Sequence, residues 1–268
     1  MQEYRLFQVD AFTHTPFKGN PAAVCIMPTD LTEDTYQSIS REMNLSETAF
    51  LERSNDSFSL RWFTPIREVP LCGHATLASA HVLFEHLGYT NHRIEFRTLS
   101  GNLYAERAQG GITMDFPRND PHRVDPPKEA LRALGITSHE GSFYSESNQK
   151  LMIHLDDEAK VRALEPDFQS FLHAANPLGW RGVIVTARGD DYDFVSRYFA
   201  PYMGVNEDPV TGSAHTVLTP YWAKLLGKSR MKAYQASSRG GELIVELTPD
   251  RVLLTGECVT TVDGVIRF

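Results

Sequence analysis

The chain has 268 residues, of which 41% are hydrophobic and 22% are charged, a balance typical of a globular protein with a sizeable buried core. Its formal net charge of -8 argues against a non-specific nucleic-acid binder, which needs a basic surface. The three cysteines are too few and too scattered for a disulfide framework, and none lies in a Cys-x-x-Cys pair that would indicate structural zinc.

The first residues of the chain lack the charged start and apolar run of a signal peptide, and no stretch is long enough to span a bilayer. We therefore expect a cytoplasmic protein. Residues 4–9 alternate like a strand, and Asp30-Leu31-Thr32-Glu33 resembles a capping box that begins a helix ending near Asn44. Further strands are predicted at 47–52, 57–63, 93–98, 103–107 and 112–116.

Two longer segments predict one dominant helix in each half of the chain. Residues 73–87 are apolar almost all round, which predicts a fully buried helix. Residues 212–226 carry an apolar stripe at helical spacing, although Pro220 within it is expected to kink the helix. Between the halves, the proline-rich stretch 117–128 predicts a linker.

Four short patterns occur twice in the chain, in the same order and 136 to 140 positions apart. The first pair begins at Arg61 and Arg197, and the second is Pro-x-x-Gly-x-Ala around Gly73 and Gly212. The third is an apolar stretch that ends at Gly88 and Gly227, and the fourth begins at Gly101 and Gly241. Chance could produce one such pair, but four in register favour a duplicated unit, and this period is too long for a solenoid. The repeat predicts two domains of one design.

Each of the two predicted helices begins at a glycine, Gly73 or Gly212. A helix N-terminus offers unpaired N–H groups and the positive end of the helix dipole, and a glycine lets a ligand approach closely. Either glycine alone is more simply interpreted as a tight turn. The repeat favours two helix starts facing one cleft, where they hold a carboxylate or stabilise the charge left by a departing proton.

Polar residues beside these turns are candidates for acid/base chemistry. His74 and Ser213 directly follow the two glycines, and Asp208 lies four residues before the second. Glu47 begins a predicted strand. From composition alone, Glu47 is an ordinary exposed residue and Asp208 a turn residue that caps a backbone N–H. Beside a cleft, Asp208 instead exchanges protons or binds an amine.

Segments 9–13, 16–24, 44–50, 71–77 and 207–215 together form a specific pattern that covers nearly the whole chain. Through them the chain resembles the phenazine-biosynthesis PhzF-like isomerase family, whose fold is similar to that of diaminopimelate epimerase. The resemblance implies an α+β fold of two pseudo-twofold-related halves, each a β-barrel around one central helix. The implied halves are 1–118, joined by a last strand at about 259–268, and 119–258.

The resemblance also implies a reaction and its residues. Glu47 is the implied acid/base, assisted by His74 and Asp208 as further catalytic residues. The implied substrate-binding residues are Gly73, Gly212 and Ser213. The implied reaction is a double-bond shift or tautomerisation of a small cyclic carboxylate similar to a dihydro-hydroxyanthranilate, without metal or organic cofactor. A homodimer is implied, and neither nucleic acid nor membrane is an expected partner.

Three alternatives remain open at the level of sequence. Cysteine-type amino-acid racemases or epimerases on the same fold use a thiol before each helix glycine, but here Cys72 is matched by Thr211. A one-base enzyme, such as a dehydratase, in which Cys72 is the base, is the second alternative. More simply, Cys72 is a plain buried core residue. A non-catalytic small-molecule binder needs similar groups. His81, His86 and His215 lack metal-ligand spacing and are interpreted as structural or surface residues.

Overall fold

The computed structural model describes residues 2–27, 31–54 and 57–268. The chain divides into two compact units, and each is described by itself. Unit 1 comprises Met1–Asp115 with Leu253–Phe268, and unit 2 comprises Phe116–Val252. Within the described ranges, no helix combines the length and apolar character needed to cross a membrane. All three cysteines are free thiols.

The elements of the structure have the following bounds. The strands are β1 (Glu3–Ala11), β2 (Asn20–Met27), β3 (Glu47–Ser54), β4 (Ser57–Phe63), β5 (Glu68–Val69), β6 (Arg93–Thr98), β7 (Gly101–Ala108), β8 (Gly111–Pro117), β9 (His122–Arg123), β10 (Gly141–Ser145), β11 (Lys150–His154), β12 (Gly182–Arg188), β13 (Phe194–Ala200), β14 (Val205–Glu207), β15 (Arg230–Gln235), β16 (Gly241–Leu247), β17 (Arg251–Gly256) and β18 (Cys258–Arg267). The helices are α1 (Glu33–Met43), α2 (Gly73–His81), α3 (Lys128–Ala133), α4 (Glu158–Arg162), α5 (Phe168–His173) and α6 (Gly212–Leu226).

The first helix, α1, begins two residues later than the predicted capping box suggests. Asp30, the predicted cap, lies outside the described residues, and Thr32 is the N-cap, accepting a hydrogen bond from the backbone of Thr35. The helix ends as predicted, at Asn44, whose left-handed backbone (φ 50°) stops helical hydrogen bonding. Its buried face packs Tyr36 onto the aromatic core of unit 1.

The structure confirms a helix within the predicted residues 73–87, but its winding changes along its length. After α2 ends at His81, the chain continues as a π-helical turn over Val82–His86. Residues 74–80 are all buried, as an apolar surface on every side requires. The helix packs against β1, β2 and β3, and so lies in the core of unit 1.

Helix α6 of unit 2 runs without interruption through Pro220. A proline lacks the N–H that would bond the carbonyl four residues earlier, which here belongs to Thr216. That carbonyl accepts a hydrogen bond from the backbone N–H of Asn119 instead, at 3.3 Å. The proline is tolerated because a neighbouring segment satisfies the carbonyl that it leaves without an intrahelical partner.

The two units follow the same order of strand pairing. In unit 1, β1 pairs antiparallel with β2, β2 parallel with β3, β3 antiparallel with β4, β4 parallel with β6 and β6 antiparallel with β7. In unit 2, the same alternation runs through β10, β11, β12, β13, β15 and β16. The last strand, β18, pairs antiparallel with β1. A duplicated unit accounts for the shared order.

Two part-buried ion pairs also follow the repeat. Nε and Nη2 of Arg61 donate to the two carboxylate oxygens of Glu68, at 2.7 and 2.8 Å. Arg197, its counterpart, binds Glu207 at 2.7 and 2.9 Å. Each pair fixes a central strand to the short strand that precedes the helix. The fold is α+β; the predicted barrels, their pseudo-twofold relation and the predicted domain bounds stay predictions.

Candidate active site

Two of the predicted catalytic residues lie together in unit 1. Glu47 is the first residue of β3 and His74 is the second residue of α2, and Nε2 of His74 lies 3.4 Å from Oε2 of Glu47. The side chains are 19% and 6% exposed, respectively. The carboxylate therefore keeps limited access to solvent while the imidazole is almost completely enclosed.

A third residue, Asn20, orients the imidazole. It is fully buried, and its Nδ2 lies 3.2 Å from Nδ1 of His74. Gly19 fixes its position, because the backbone there has φ +63° and a Cβ would lie 2.2 Å from the carbonyl oxygen of Ala11. Asn20 lies in segment 16–24 of the family pattern, but its role was not predicted from the sequence.

The neighbours of His74 determine which ring nitrogen carries the proton. Nδ1 faces two donors, the amide of Asn20 and, at 3.6 Å, the thiol of Cys72. Nδ1 is therefore the acceptor, and Nε2 carries the hydrogen. Nε2 in turn faces Glu47 and the hydroxyl of Ser46, 3.3 Å away. Burial lowers the pKa of His74 to about 3, so the ring is neutral and its contact with Glu47 is not a pair of opposite charges at neutral pH.

The same residues include three types of metal ligand. The ligand atoms of Glu47, Cys72 and His74 all lie within 4.8 Å of one another. However, the thiol lies beside Nδ1 of His74 and the carboxylate beside Nε2. The two nitrogens of one ring point in different directions, so a single ion cannot bind all three groups in this arrangement. The geometry fits a hydrogen-bonded acid/base centre better than a metal centre.

In unit 2, Asp208 lies directly after β14 in a loop fixed by its own hydrogen bonds. Its backbone N–H donates to the carbonyl of Tyr198 at 3.1 Å, and its carboxylate accepts a short hydrogen bond from the hydroxyl of Thr211. The amide of Gln235, which is fully buried, donates to the carbonyl of Asp208 at 2.7 Å and accepts from the N–H of Thr211 at 2.8 Å. The carboxylate is therefore held at the start of α6.

Both glycine-started helices leave their first turns without a side-chain cap. The N-cap residues are Cys72 for α2 and Thr211 for α6, and neither makes a side-chain capping hydrogen bond among the described residues. By contrast, α1, α4 and α5 are capped by Thr32, Asp157 and Asp167, whereas α3, which follows Pro127, also has no side-chain cap. The first amides of α2 and α6 can therefore bind an outside acceptor such as a carboxylate.

Ser213 is the second residue of α6, the position that His74 occupies in α2. Its carbonyl accepts a hydrogen bond from Nδ2 of Asn148 at 3.0 Å. Asn148 and Asn20 thus each contact the residue after a helix glycine. Asn20 is the first residue of β2, and Asn148 lies two residues before β11.

The remaining helix histidines have partners that suit a structural role. His81 and His86 both contact the hydroxyl of Thr260 through Nε2, at 3.1 and 2.8 Å. Nδ1 of His215 donates to the carbonyl of Thr211 at 2.8 Å.

Comparison with known proteins identifies the family. The family described as "Phenazine biosynthesis-like protein" matches residues 9–264. An uncharacterized isomerase of Pseudomonas aeruginosa is 48% identical over 97% of each chain. The crystal structure of a PhzF-family protein from Enterococcus faecalis has a TM-score of 0.94 and is 42% identical over the full length of both chains. A predicted epimerase from Pseudomonas aeruginosa, 22% identical over 98% of this chain and 99% of its own with a TM-score of 0.74, shares the fold. The family match over residues 9–264 and the relative that is 48% identical over nearly the whole chain show that this chain belongs to the phenazine biosynthesis-like family.

Proposed function

We propose that this chain is an isomerase that moves a proton on a small cyclic carboxylate, similar to a dihydro-hydroxyanthranilate. The observation that carries the proposal is the Glu47 carboxylate, 19% exposed and 3.4 Å from the N–H of a neutral imidazole. A carboxylate so placed accepts a proton and returns it elsewhere, which shifts a double bond or interconverts tautomers. The relative named as an isomerase supports this class of reaction.

His74 supports Glu47 as a hydrogen-bond donor. Because burial lowers the pKa of His74 to about 3, its protonated form is not available at neutral pH. Its Nε2–H instead faces the Glu47 carboxylate as a hydrogen-bond donor and fixes where that carboxylate points. A positioned acid/base contributes roughly a hundred- to ten-thousand-fold in rate.

The substrate's own carboxylate is proposed to bind uncapped helix N-termini. Gly73 and Gly212 supply N–H groups, and the absence of a side-chain cap among the described residues of each helix start supports this role. Ser213 and Asp208 are proposed to bind the ring substituents. The carboxylate of Asp208 accepts a hydrogen bond from the hydroxyl of Thr211 and is proposed to act as the acceptor for a substrate O–H or N–H donor.

Further parts of the proposal rest on the family resemblance. We propose that the reaction needs neither metal nor organic cofactor, since proton transfer uses only side chains of the chain itself. A homodimer in the cytoplasm is proposed as the working form. The prediction that both helix starts face one cleft stays a prediction.

A second candidate, a one-base thiol enzyme, is favoured by one contact. Cys72 lies at the start of α2, where a helix dipole promotes thiolate formation, with its sulfur 3.6 Å from Nδ1 of His74. Its counterpart Thr211 supplies a hydroxyl that is already donated to Asp208, so a reaction with two facing thiols lacks a partner.

Solvent-deuterium incorporation into a panel of cyclic amino and hydroxy carboxylates tests the proposal. Wild type is expected to label at least one member, and Glu47→Gln to slow labelling by roughly a hundred- to ten-thousand-fold. Glu52→Gln, on the same strand, is the matched control and is expected to label normally. Cys72→Ser is expected to retain labelling.

Two outcomes would contradict the isomerase. Labelling that persists in Glu47→Gln but disappears in Cys72→Ser identifies the thiol as the base. If a panel member binds to the wild type and no member of the panel gains deuterium, the chain is a binding protein.

A further inference from the structure

The last strand of unit 1, β18, lies at an edge of the sheet. It pairs antiparallel with β1 along residues 258–267 and also packs on α2. Among the described residues, no other strand pairs with it. The side of β18 that faces away from β1 therefore presents a row of backbone N–H and C=O groups to which a further strand can bind.

The hydrogen bonds at the end of this strand pair show which backbone groups point outward. Gln2 and Phe268 each donate a backbone N–H to the carbonyl of the other, at 2.9 and 3.3 Å. In an antiparallel pair such bonded positions alternate with non-bonded ones, so every second residue before Phe268 also bonds towards β1. The backbone groups of Asp263, Val265 and Arg267 therefore point away from β1.

This edge lacks most of the features that usually shield an exposed strand. Soluble proteins protect such edges with short strands, unpaired charges, proline or a bulge. Both charged residues in the stretch 262–268 are instead paired with β1, Asp263 with Arg5 and Arg267 with Glu3. A register shift places a bulge before residue 262, and the pairing after it is regular. The stretch 262–268 is therefore open to another strand.

Apolar side chains are exposed along the same stretch. Val262 and Val265 are each 46% exposed, and Phe268 is 42% exposed. Because successive residues of a strand point to opposite faces, Val265 lies on one face and the other two lie on the other. Exposed apolar side chains on both faces of an open edge are typical of a strand that pairs with another chain.

We infer that this edge of β18 pairs antiparallel with the same edge of a second copy of the chain. Two copies of one chain associate most simply about a twofold axis, so the edge must complement itself. An axis at Val265, the middle of residues 262–268, puts all the outward-pointing residues of the stretch into hydrogen-bonded pairs. Val265 then faces Val265 of the second copy, and Asp263 of each copy faces Arg267 of the other.

The exposed apolar residues meet apolar partners in this register. Val262 faces Phe268 of the second copy on one face of the strand, and the two copies of Val265 face each other on the opposite face. Their contact removes from water the apolar surface that a single copy leaves exposed.

The charges of the edge select the same register. Asp263 faces Arg267 of the second copy, and each already binds an opposite charge on β1, so the charges alternate in sign across four strands. An axis at Gly264 would place Asp263 opposite a valine, and an axis at Asp263 would place two aspartates opposite each other. Of these three registers, the axis at Val265 is the one that pairs each charge with its opposite.

Sedimentation equilibrium of the intact chain tests the association. Wild type is expected to have about twice the 30.2 kDa mass of one chain. Asp263→Lys and Arg267→Glu each place like charges opposite each other at two symmetric positions, and each is expected to raise the dimer dissociation constant at least tenfold. The variant that combines both changes is expected to recover most of the lost affinity.

The combined variant separates the interface from the ion pairs within one copy. Within one copy, both changes place like charges beside Arg5 and Glu3, so a role confined to that copy makes the combined variant worse than either single variant. Recovery of the dimer requires residues 263 and 267 of different copies to face each other. Arg97→Glu, an exposed charge of β6, is the matched control and is expected to leave association unchanged.

Cysteine cross-linking tests the register. Gly264→Cys combined with Ile266→Cys is expected to give a disulfide-linked dimer under mild oxidation, because residue 264 faces residue 266 of the second copy in a non-hydrogen-bonded pair. A side chain fits at Gly264, since no heavy atom lies within 4 Å of a Cβ there. Gly264→Cys alone is expected to stay unlinked, as is the wild type with its native thiols. Linkage of Gly264→Cys to itself would move the axis to Gly264 and overturn the register.

The interface rests on the homodimer proposed above and is independent of the proposed reaction. A wild-type chain that stays monomeric at every concentration refutes both the homodimer and the interface. A dimer that withstands both single charge changes and forms no cross-link keeps the homodimer but refutes pairing through β18. Deuterium labelling of a substrate affects neither result, so the proposed reaction is judged separately.

Discussion

Acidification from pH 7 to pH 4.5 is expected to destabilise the protein, because two histidines are buried in their neutral form. Burial lowers the pKa of His74 to about 3 and that of His215 to about 4. In the unfolded chain both titrate near their ordinary value of about 6.5. Below pH 6.5 the unfolded state therefore binds more protons than the folded state. The free energy of unfolding that these histidines contribute above about pH 6.5 is lost as the pH falls.

The size of the effect follows from the two pKa values. Each histidine contributes about 1.4 kcal/mol per pH unit while it is protonated only in the unfolded state. From pH 6.5 to pH 4.5 this amounts to roughly 2.7 kcal/mol for each residue, or about 5 kcal/mol for both. His81, whose pKa burial also lowers to about 4, adds to this loss. That loss is a large part of the 5–15 kcal/mol typical of a folded domain. Lys150, with its pKa lowered to about 8, is charged in both states throughout this range and adds no slope.

Urea unfolding at several pH values between 7 and 4.5 measures the loss. Wild type is compared with His215→Gln, which removes one of the two titrating groups but keeps a side-chain N–H. The variant is expected to lose about 1.4 kcal/mol less per pH unit than the wild type. A free energy of unfolding that stays constant across the range, or an identical slope in the variant, would refute the reasoning.

Two further changes test the packing around the site through the free energy of unfolding in urea. Gly182→Ala is expected to lower the free energy of unfolding by about 1–3 kcal/mol, because its Cβ would lie 2.2 Å from the hydroxyl oxygen of Tyr198. A Cβ at Gly264 has no heavy atom within 4 Å, so Gly264→Ala is the control and is expected to change stability by less than about 0.5 kcal/mol. Arg197→Met is expected to cost about 3 kcal/mol by leaving the mostly buried Glu207 without its bidentate partner, and Arg197→Lys less because the charge remains. Equal values for the two glycine variants, or a harmless Arg197→Met, would contradict these arguments.

The repeat and the main elements were predictable because they depend on local pattern. The strands at 93–98 and 57–63 match the structure to the residue. Alternation of buried and exposed positions in half-buried strands is a strong signal, and the helix starts at Gly73 and Gly212 were found because the same turn occurs twice. The α+β class follows from these elements.

The details of helix geometry were not predictable for an equally physical reason. In a helix that is apolar on every side, the apolar residues form no stripe, so their spacing does not show where α winding changes to π winding. The π-helical turn at Val82–His86 therefore could not be predicted from the sequence. At α1, Asp30 and Thr32 are both good N-cap residues, and the pattern alone does not choose between them. The sequence also shows Pro220 but not Asn119, whose N–H meets the carbonyl that the proline leaves unbonded.

The candidate site was predictable only in part. Motif residues such as Glu47 and His74 were singled out in advance, and the structure places them side by side. Their supporting residues were missed because burial of a polar group depends on distant parts of the chain. Gln235 reads as the polar end of an ordinary strand, and only the tertiary structure shows that it is fully buried and bonded to Asp208 and Thr211.

The alignment of the two units bears on how a duplicated fold could perform a reaction with one base. Glu47 and Gly182 are equivalent, because each lies in the first residue pair of its unit's parallel strands, β2–β3 or β11–β12, and only Glu47 has a side chain. Of the equivalent N-caps Cys72 and Thr211, only Cys72 has a thiol. Groups able to accept a proton at these positions therefore occur in unit 1 alone. A racemase that removes a proton from one side of its substrate and supplies another from the opposite side needs two proton-accepting groups. An isomerase that takes a proton and returns it to another atom of the same face needs only one, which agrees with the proposed reaction.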